Sequence, residues 1–451
     1  MTAPASGQDN QPRASLSLTD AVAMIVGLIV GAGIFGTPAI VAGAVESEAL
    51  LVTVWVAGGI FSILGALCYA ELATAFPSAG GEYHFLQKAF GRQIAFLYGW
   101  ARMTVIVAGS IAVFAYLFGD YMSRIVNLGA NSSAIWAALV VGGLTIVNYA
   151  GIREAKITQN LFTVLEVGGL VLIVVTGLIL AGEPPAAAPA AAGSGPWYMG
   201  AGIGSAMVFV LFTYGGWNDA AYISAEVKDR EKNMARALLC SIGIVTLLYV
   251  LVNLAYLKGL GYSAMARSDA VAADLLKNVL GSTGEKLISF MIAVAAFTSV
   301  NGSIIVGARS NYALGRDWSL FGFLGKWDEK SGSPRNAIVV QGVIALALVA
   351  FGAIYNTGFK GLVEYSLPVF WGFFMLVGVA LFVLRAKEPN APRPFRVPGY
   401  PVVPAIFVVT CGYLLWSSLT YHGKHAFVGL GVLAVGAVIM LVARGKNSGA
   451  A

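Results

Sequence analysis

The sequence predicts an all-α membrane protein of twelve transmembrane helices, and three observations predict it. Of 451 residues, 58% are apolar and only 11% charged, with a mean hydropathy of +0.78; a soluble protein carries about 25% charged residues. Apolar runs of the length that crosses a bilayer, about 20 residues, recur along the whole chain. Two of them, the first and the sixth, are broken by glycine: Gly31-Ala32-Gly33-Ile34-Phe35-Gly36 and Tyr214-Gly215-Gly216-Trp217-Asn218. Each glycine costs about 1 kcal/mol relative to alanine in a helix interior. Unpaired backbone groups at membrane depth are tolerated only where they face protein or a water-filled cavity. Both stretches therefore read as deliberate helix breaks facing a polar site.

The expected spans are 18–42, 49–76, 94–119, 133–150, 158–181, 200–225, 236–258, 286–312, 337–356, 362–385, 401–419 and 425–443. Residues 1–17 are polar, lack the apolar core of a signal peptide, and are expected to form a cytoplasmic tail. An even number of spans puts residues 444–451 on the same side. Lysine and arginine set the orientation. With the N-terminus inside, 20 of the 28 basic residues fall in inner segments and seven in outer ones, and Arg102 lies within the third span. The protein is thus expected in a cell membrane, plasma or inner, as a multi-pass chain. The same asymmetry accounts for the formal charge of +6 without nucleic acid. Residues 182–196 are rich in Pro, Ala and Gly and read as an outer spacer. In the outer loop 259–285, Ala270 to Leu280 has helical spacing. The inner loop 313–336 is broken by Gly315, Gly322, Gly325, Gly332 and Pro334.

The matched breaks divide the chain into repeats. Residues 18–181 form one five-helix unit and 200–385 a second, inverted one; together 18–385 make a ten-helix transport core, with two further helices in 386–443. Broken helices in corresponding places mark a secondary transporter's binding site. The helix that restarts after Gly33 exposes N–H groups with partial positive charge, which suit a carboxylate. The helix that stops before Gly215 exposes carbonyls, which suit an ammonium. One site with both would hold a zwitterion, an α-amino acid. Close helix packing is the competing account of the glycines. The three cysteines, Cys68, Cys240 and Cys411, lie in apolar runs and give neither a disulfide framework nor metal-ligand spacing. No catalytic cluster of His, Asp or Cys is evident, no cofactor is implied, and the protein is not expected to be an enzyme.

Several segments resemble the amino acid–polyamine–organocation superfamily, and within it the L-type amino acid transporters. They are the first break, with Ala32 where the family has serine, and Gly65-Ala66-Leu67-Cys68-Tyr69-Ala70-Glu71-Leu72. Ser78-Ala79-Gly80-Gly81-Glu82-Tyr83, Phe212-Thr213-Tyr214-Gly215-Gly216-Trp217-Asn218 and Ser299-Val300-Asn301-Gly302-Ser303 complete the set. The resemblance implies a ten-helix inverted-repeat (LeuT-like) core and alternating access to a central site. It implies that the substrate carboxylate meets the backbone of Gly31, Ala32, Gly33 and Ile34, and that the amine meets carbonyls of Phe212, Thr213 and Gly215, beside Tyr214. Phe212 matches the aromatic that lids the site from outside. Ser299 and Asn301 are candidates for specificity.

Glu166 departs from that pattern. Many sodium-independent relatives carry lysine at the matching position. An acid about eight residues into a span, roughly 12 Å along its axis, is a functional hypothesis by default. It can carry a proton during transport, hold a cation, hold a basic substrate's amine, or pair locally for structure alone. A proton is the expected coupling ion, ahead of sodium. Asp219 either faces a cationic substrate or caps the second half of the broken helix, and the cap is favoured. Arg102 is expected to snorkel or to pair with an acid. The expected function is secondary transport of amino acids, by exchange or proton symport, with polyamine transport through Glu166 and Asp219 as the alternative. Animal relatives join a heavy chain through a cysteine after the third span; 121–132 contains none, so no disulfide-linked partner is expected.

Overall fold

The computed structural model describes residues 16–31, 33–78, 80–151, 156–182, 201–223, 227–328, 332–421 and 423–447. Residues 1–15 of the expected tail and 183–196 of the outer spacer lie outside them. The described residues are helical apart from turns and two isolated bridges, Leu16 with Val227 and Asp328 with Ser333.

The helices follow in chain order. α1 (Leu18–Ile29) and α2 (Gly33–Ala44) bend by 52° at the first break. α3 (Glu48–Ala75) is the second predicted span. α4 (Gly81–Phe90) and α5 (Arg92–Ala101) lead through a π-helical turn, Arg102–Ile106, into α6 (Val107–Ile125). α7 (Ser132–Ala150) and α8 (Lys156–Val175) follow, with a second π-helical turn at Thr176–Leu180. The second break separates α9 (Ala201–Thr213) from α10 (Ala220–Ile223). α11 (Arg230–Leu260), α12 (Tyr262–Ala266) and α13 (Val271–Asp317) come next, and α13 kinks at Gly281. α14 (Arg335–Ile354), α15 (Gly358–Lys387), α16 (Val402–Tyr421) and α17 (Gly423–Asn447) complete the chain. Among the described residues, nine helices are long and apolar enough to cross a membrane, or ten with α1 and α2 taken as one bent span. The predicted fifth and sixth spans fall outside that count. The apolar stretch of one is the shorter Leu165–Leu180, and the other is cut at Thr213.

Local chemistry explains the boundaries. Ser17 and Asp20 form a reciprocal capping box at the start of α1, satisfying two of the N–H groups that every helix start leaves free. α7 ends at Gly151 in the left-handed conformation, φ 79°, where only glycine avoids a steric penalty.

Two packing groups result. α6 lies against α7 and α13, and α14 closes on α7 and α13. This group is knit by side-chain amides, Asn148 to Asn301 at 2.7 Å and Asn311 to Gln341 at 2.8 Å. In the other group α1 packs on α11, α2 on α9, and α3 on both α9 and α11. The Lys228 N–H donates to the Leu16 carbonyl at 2.9 Å, so the chain just past the sixth predicted span lies level with the start of the first. At that end Glu71 accepts from Arg385 through both oxygens, at 2.7 and 2.5 Å, and from the Val397 N–H at 2.7 Å. This ties α3 to α15 and the segment beyond it.

Candidate functional site

The two breaks touch. α1 ends in a tight turn, Val30 N–H to Val26 carbonyl at 2.7 Å and Gly31 N–H to Ile29 carbonyl at 2.9 Å. α2 restarts at Gly33, and by position its first N–H groups have no acceptor within the helix. α9 stops at Thr213, Gly215 N–H donates to the Phe212 carbonyl at 3.0 Å, and Gly216 turns the chain at φ 112°. A Cβ on Gly33 would stand 3.7 Å from Thr213 Cγ2. The Thr213 hydroxyl lies 2.8 Å from that of Thr37 on α2. A Cβ on Gly216 would collide with the Leu28 carbonyl oxygen of α1. Gly216 is therefore glycine on two counts, its positive φ and the neighbouring backbone. Tyr249 of α11 closes the crossing: its hydroxyl donates to the Ile29 carbonyl at 3.0 Å and lies 3.4 Å from the Thr213 carbonyl.

Gly31, Gly33, Ile34, Thr213 and Gly215 thus lie at this crossing; Ala32 falls outside the described residues. Of the three carbonyls expected to receive an amine, Phe212 already has a donor in the Gly215 N–H, and the Tyr249 hydroxyl stands 3.4 Å from a second, Thr213. Each keeps a second lone pair. The Tyr214 side chain turns away and donates to the Trp55 carbonyl at 2.9 Å. Phe212 packs edge-on against Phe370 of α15, ring centres 6.3 Å apart. Ser299 spends its hydroxyl on the Ala295 carbonyl one turn back, at 3.1 Å, and Asn301 is held by Asn148. Glu166 Oε1 is buried with no hydrogen-bond partner among the described residues.

Asp219 Oδ1 lies 3.7 Å from Arg102 Nη2 and takes a long contact, 3.5 Å, from Asn218 Nδ2. A single 3-10 turn, Trp217–Asp219, comes between the break and α10. Arg102 is buried and paired there; it does not snorkel.

Beside the break opens a cavity of about 1040 Å³. Its floor is α2 from Gly36 to Ala44, and its walls include Leu117, Asp120, Ser205, Thr357 and Phe359. Phe212 is not among its lining residues. Phe359 stands at the floor instead: a Cβ on Gly36 would be 2.9 Å from its ring and 3.1 Å from Leu117 Cδ1. The third glycine of the first motif therefore seats an aromatic ring, one turn above the break. Sequence reasoning missed Phe359, Thr37 and Tyr249. Nothing in the sequence could have flagged Tyr249 within its apolar run, whereas Gly36 was a visible signal that something bulky approaches.

Backbone polar groups of opposite character at one crossing can bind a small zwitterion. The comparisons agree with that chemistry. The amino acid permease family model matches residues 16–443. The b(0,+)-type amino acid transporter 1 of Rattus norvegicus is 29% identical over 404 residues, covering 89% of this chain and 81% of that protein. The large neutral amino acids transporter small subunit 2 of Mus musculus is 30% identical over 430 residues, covering 93% and 79%; its Homo sapiens counterpart is also 30% identical. The chain belongs to the amino acid permease family of the amino acid–polyamine–organocation superfamily, and its relatives are L-type amino acid transporters.

Proposed function

We propose that the protein is a secondary carrier that moves amino acids across a cell membrane by alternating access, with its substrate held where the two broken helices cross. The observation that carries the reading is the Tyr249 hydroxyl set against the Ile29 and Thr213 carbonyls, where the two breaks meet. In this reading the chain crosses the membrane twelve times with both termini cytoplasmic. Residues 18–181 and 200–385 are inverted repeats, and 386–443 supply the last two helices. Of the stretch Gly31, Ala32, Gly33 and Ile34, the N–H groups from Gly33 onward hold the carboxylate, since the Gly31 N–H is spent on the Ile29 carbonyl, and the free lone pairs of Phe212, Thr213 and Gly215 hold the amine. Glu166, lacking a partner at Oε1, carries a proton. The carrier works without a disulfide-linked heavy chain and without a bound cofactor. The polyamine alternative is weaker, because Arg102 already neutralises Asp219.

Uptake of labelled amino acids and polyamines into proteoliposomes tests this, with and without an inward proton gradient and internal substrate. We expect gradient-driven amino-acid uptake into empty vesicles, and Glu166→Gln to abolish its proton dependence while substrate binding stays largely intact. Uptake that requires internal amino acid and ignores the gradient would make the protein an exchanger with a structural Glu166. Preference for polyamines would overturn the substrate assignment.

A further inference from the structure

Where α8 packs on α11 and α13, five buried polar atoms have no hydrogen-bond partner among the described residues. They are Glu166 Oε1, Thr176 Oγ1, Asn253 Oδ1, the Tyr256 hydroxyl and Ser289 Oγ. Thr176, Asn253, Tyr256 and Ser289 are each 0% exposed. Contacts between the helices set them along one seam. Cβ atoms on Gly168 and Gly169 of α8 would stand 3.6 Å from Met291 Cε and 3.7 Å from Ile288 Cδ1, beside Ser289. A Cβ on Gly177 would collide with the carbonyl oxygen of Ala255, which lies between Asn253 and Tyr256 in α11. Lys258 Nζ donates to the Leu178 carbonyl at 2.6 Å. Glu166 precedes Gly169 by about one turn and Thr176 by about 15 Å along the axis. Tyr249, Asn253 and Tyr256 share one face of α11 by their spacing of four and three.

These atoms behave unlike their counterparts elsewhere in the molecule. Helix hydroxyls here commonly donate to the carbonyl one turn back: Thr145 to Val141, Thr246 to Ile242 and Ser418 to Leu414, each at 2.7 Å. Thr176 and Ser289 leave that bond unmade. Asn253 spends its Nδ2 on the Tyr249 carbonyl at 2.8 Å and keeps its oxygen unpaired. A buried polar group without a partner is destabilising, and five on one seam call for a partner small enough to fit among them. Buried water meets that need, because it sits where polar groups are otherwise unpaired. Thr176 also opens the second π-helical turn, a device frequent at functional sites. The charged groups at the seam stand at its outer end, in the orientation proposed above. They are Lys258 on α11 and Glu285 on α13, the latter one turn before Ser289 and 3.1 Å from Lys277. The remaining titratable groups are Tyr256, Tyr249, whose hydroxyl is committed to the break, and Glu166 at the inner end. None of the five atoms belongs to a residue lining the cavity beside the first break.

We propose that the seam between α8, α11 and α13 is a hydrated proton route, by which protons from the outer face reach Glu166 without entering the substrate cavity. A hydroxyl or a water accepts one hydrogen bond and donates another. A proton taken from outer water at one end is therefore matched by a proton delivered to the Glu166 carboxylate at the other, and no open pore is needed. The route rests on the proton-carrying role of Glu166 given above. Infrared spectroscopy of the whole protein in lipid, near neutral pH, tests it. The C=O stretch of a protonated carboxyl shifts when deuterium replaces its proton, and Glu166→Gln shows which band belongs to Glu166. In the parent protein moved into heavy water, that band should shift promptly. Thr176→Val/Asn253→Leu/Ser289→Ala should slow the shift about tenfold, equivalent to about 1.4 kcal/mol on the barrier. Thr145→Val removes a hydroxyl already bonded within its own helix and should leave the rate alone. Tyr256→Phe removes one seam hydroxyl and keeps the ring. It should slow the shift in the same direction, and it serves if the triple variant fails to fold. Parent-like rates in the folded seam variants, or equal slowing in Thr145→Val, would overturn the route. A parent spectrum with no Glu166-dependent band would sink the proton role and the route together, whereas a band that shifts at the parent rate in every variant would sink the route alone.

Discussion

At the scale of single residues, Gly36 and Tyr249 carry the sharpest consequences. Phe359 occupies the space a Cβ at position 36 would need, 2.9 Å from its ring. Gly36→Ala must therefore displace the ring or the helix, and overpacking of this kind costs about 1–3 kcal/mol. We expect a lower unfolding temperature in detergent for Gly36→Ala, and recovery of at least half the loss in Gly36→Ala/Phe359→Leu. Additive losses in the double variant would show that the ring is not the obstacle. Tyr249→Phe keeps the shape and removes the hydroxyl from two carbonyls. A hydrogen bond contributes about 1 kcal/mol net, so substrate affinity should weaken about fivefold, while Ser299→Ala, which loses only a bond within its own helix, should leave affinity alone. Equal affinities in Tyr249→Phe and the parent would remove that side chain from the site.

At the scale of elements, the breaks were legible in the sequence because glycine has a backbone meaning that does not depend on its neighbours. The residues that brace them were not. Tyr249 sits in an apolar run, and only the register of α11 against α1 and α9 brings its hydroxyl to the crossing. The sequence suggests a helix cap at Asp219, on the rule that acids suit helix starts; that Arg102 of the third span stands 3.7 Å from its carboxylate depends on a tertiary approach the sequence does not display. Phe212, expected as the lid, packs edge-on against Phe370 of α15, a partner that only the packing of α9 on α15 reveals. A Cβ added at Gly33 would stand at ordinary contact distance from Thr213. Gly33→Ala should fold and transport, whereas the branched side chain of Gly33→Val should press on Thr213 and block substrate binding. Normal affinity in folded Gly33→Val would place the carboxylate elsewhere.

At the scale of the whole molecule, the open question is how many times the chain crosses. Hydropathy makes long helices such as α3 and α14 legible, because an uninterrupted apolar run needs no partner to declare itself. The same test passes over the fifth and sixth predicted spans, whose apolar helices are short or cut. The hydrogen bond from Lys228 to Leu16 puts residues 16 and 228 level with each other, which requires an even number of crossings between them. Six crossings satisfy that, and so do four, if α8 and α9 enter and return on one side. The segment between those two helices decides. Twelve crossings put residue 190 on the side opposite Lys228; ten put it on the same side. In intact cells, with the native cysteines replaced, Ala190→Cys should react with an impermeant maleimide and Lys228→Cys should not. Protection of both positions would reduce the chain to ten crossings and dissolve the inverted repeat. It would also leave the second break without a spanning helix to interrupt. Labelling at 190 alone makes the break at Gly216 a break within the membrane, where unpaired carbonyls persist only if something polar comes to meet them.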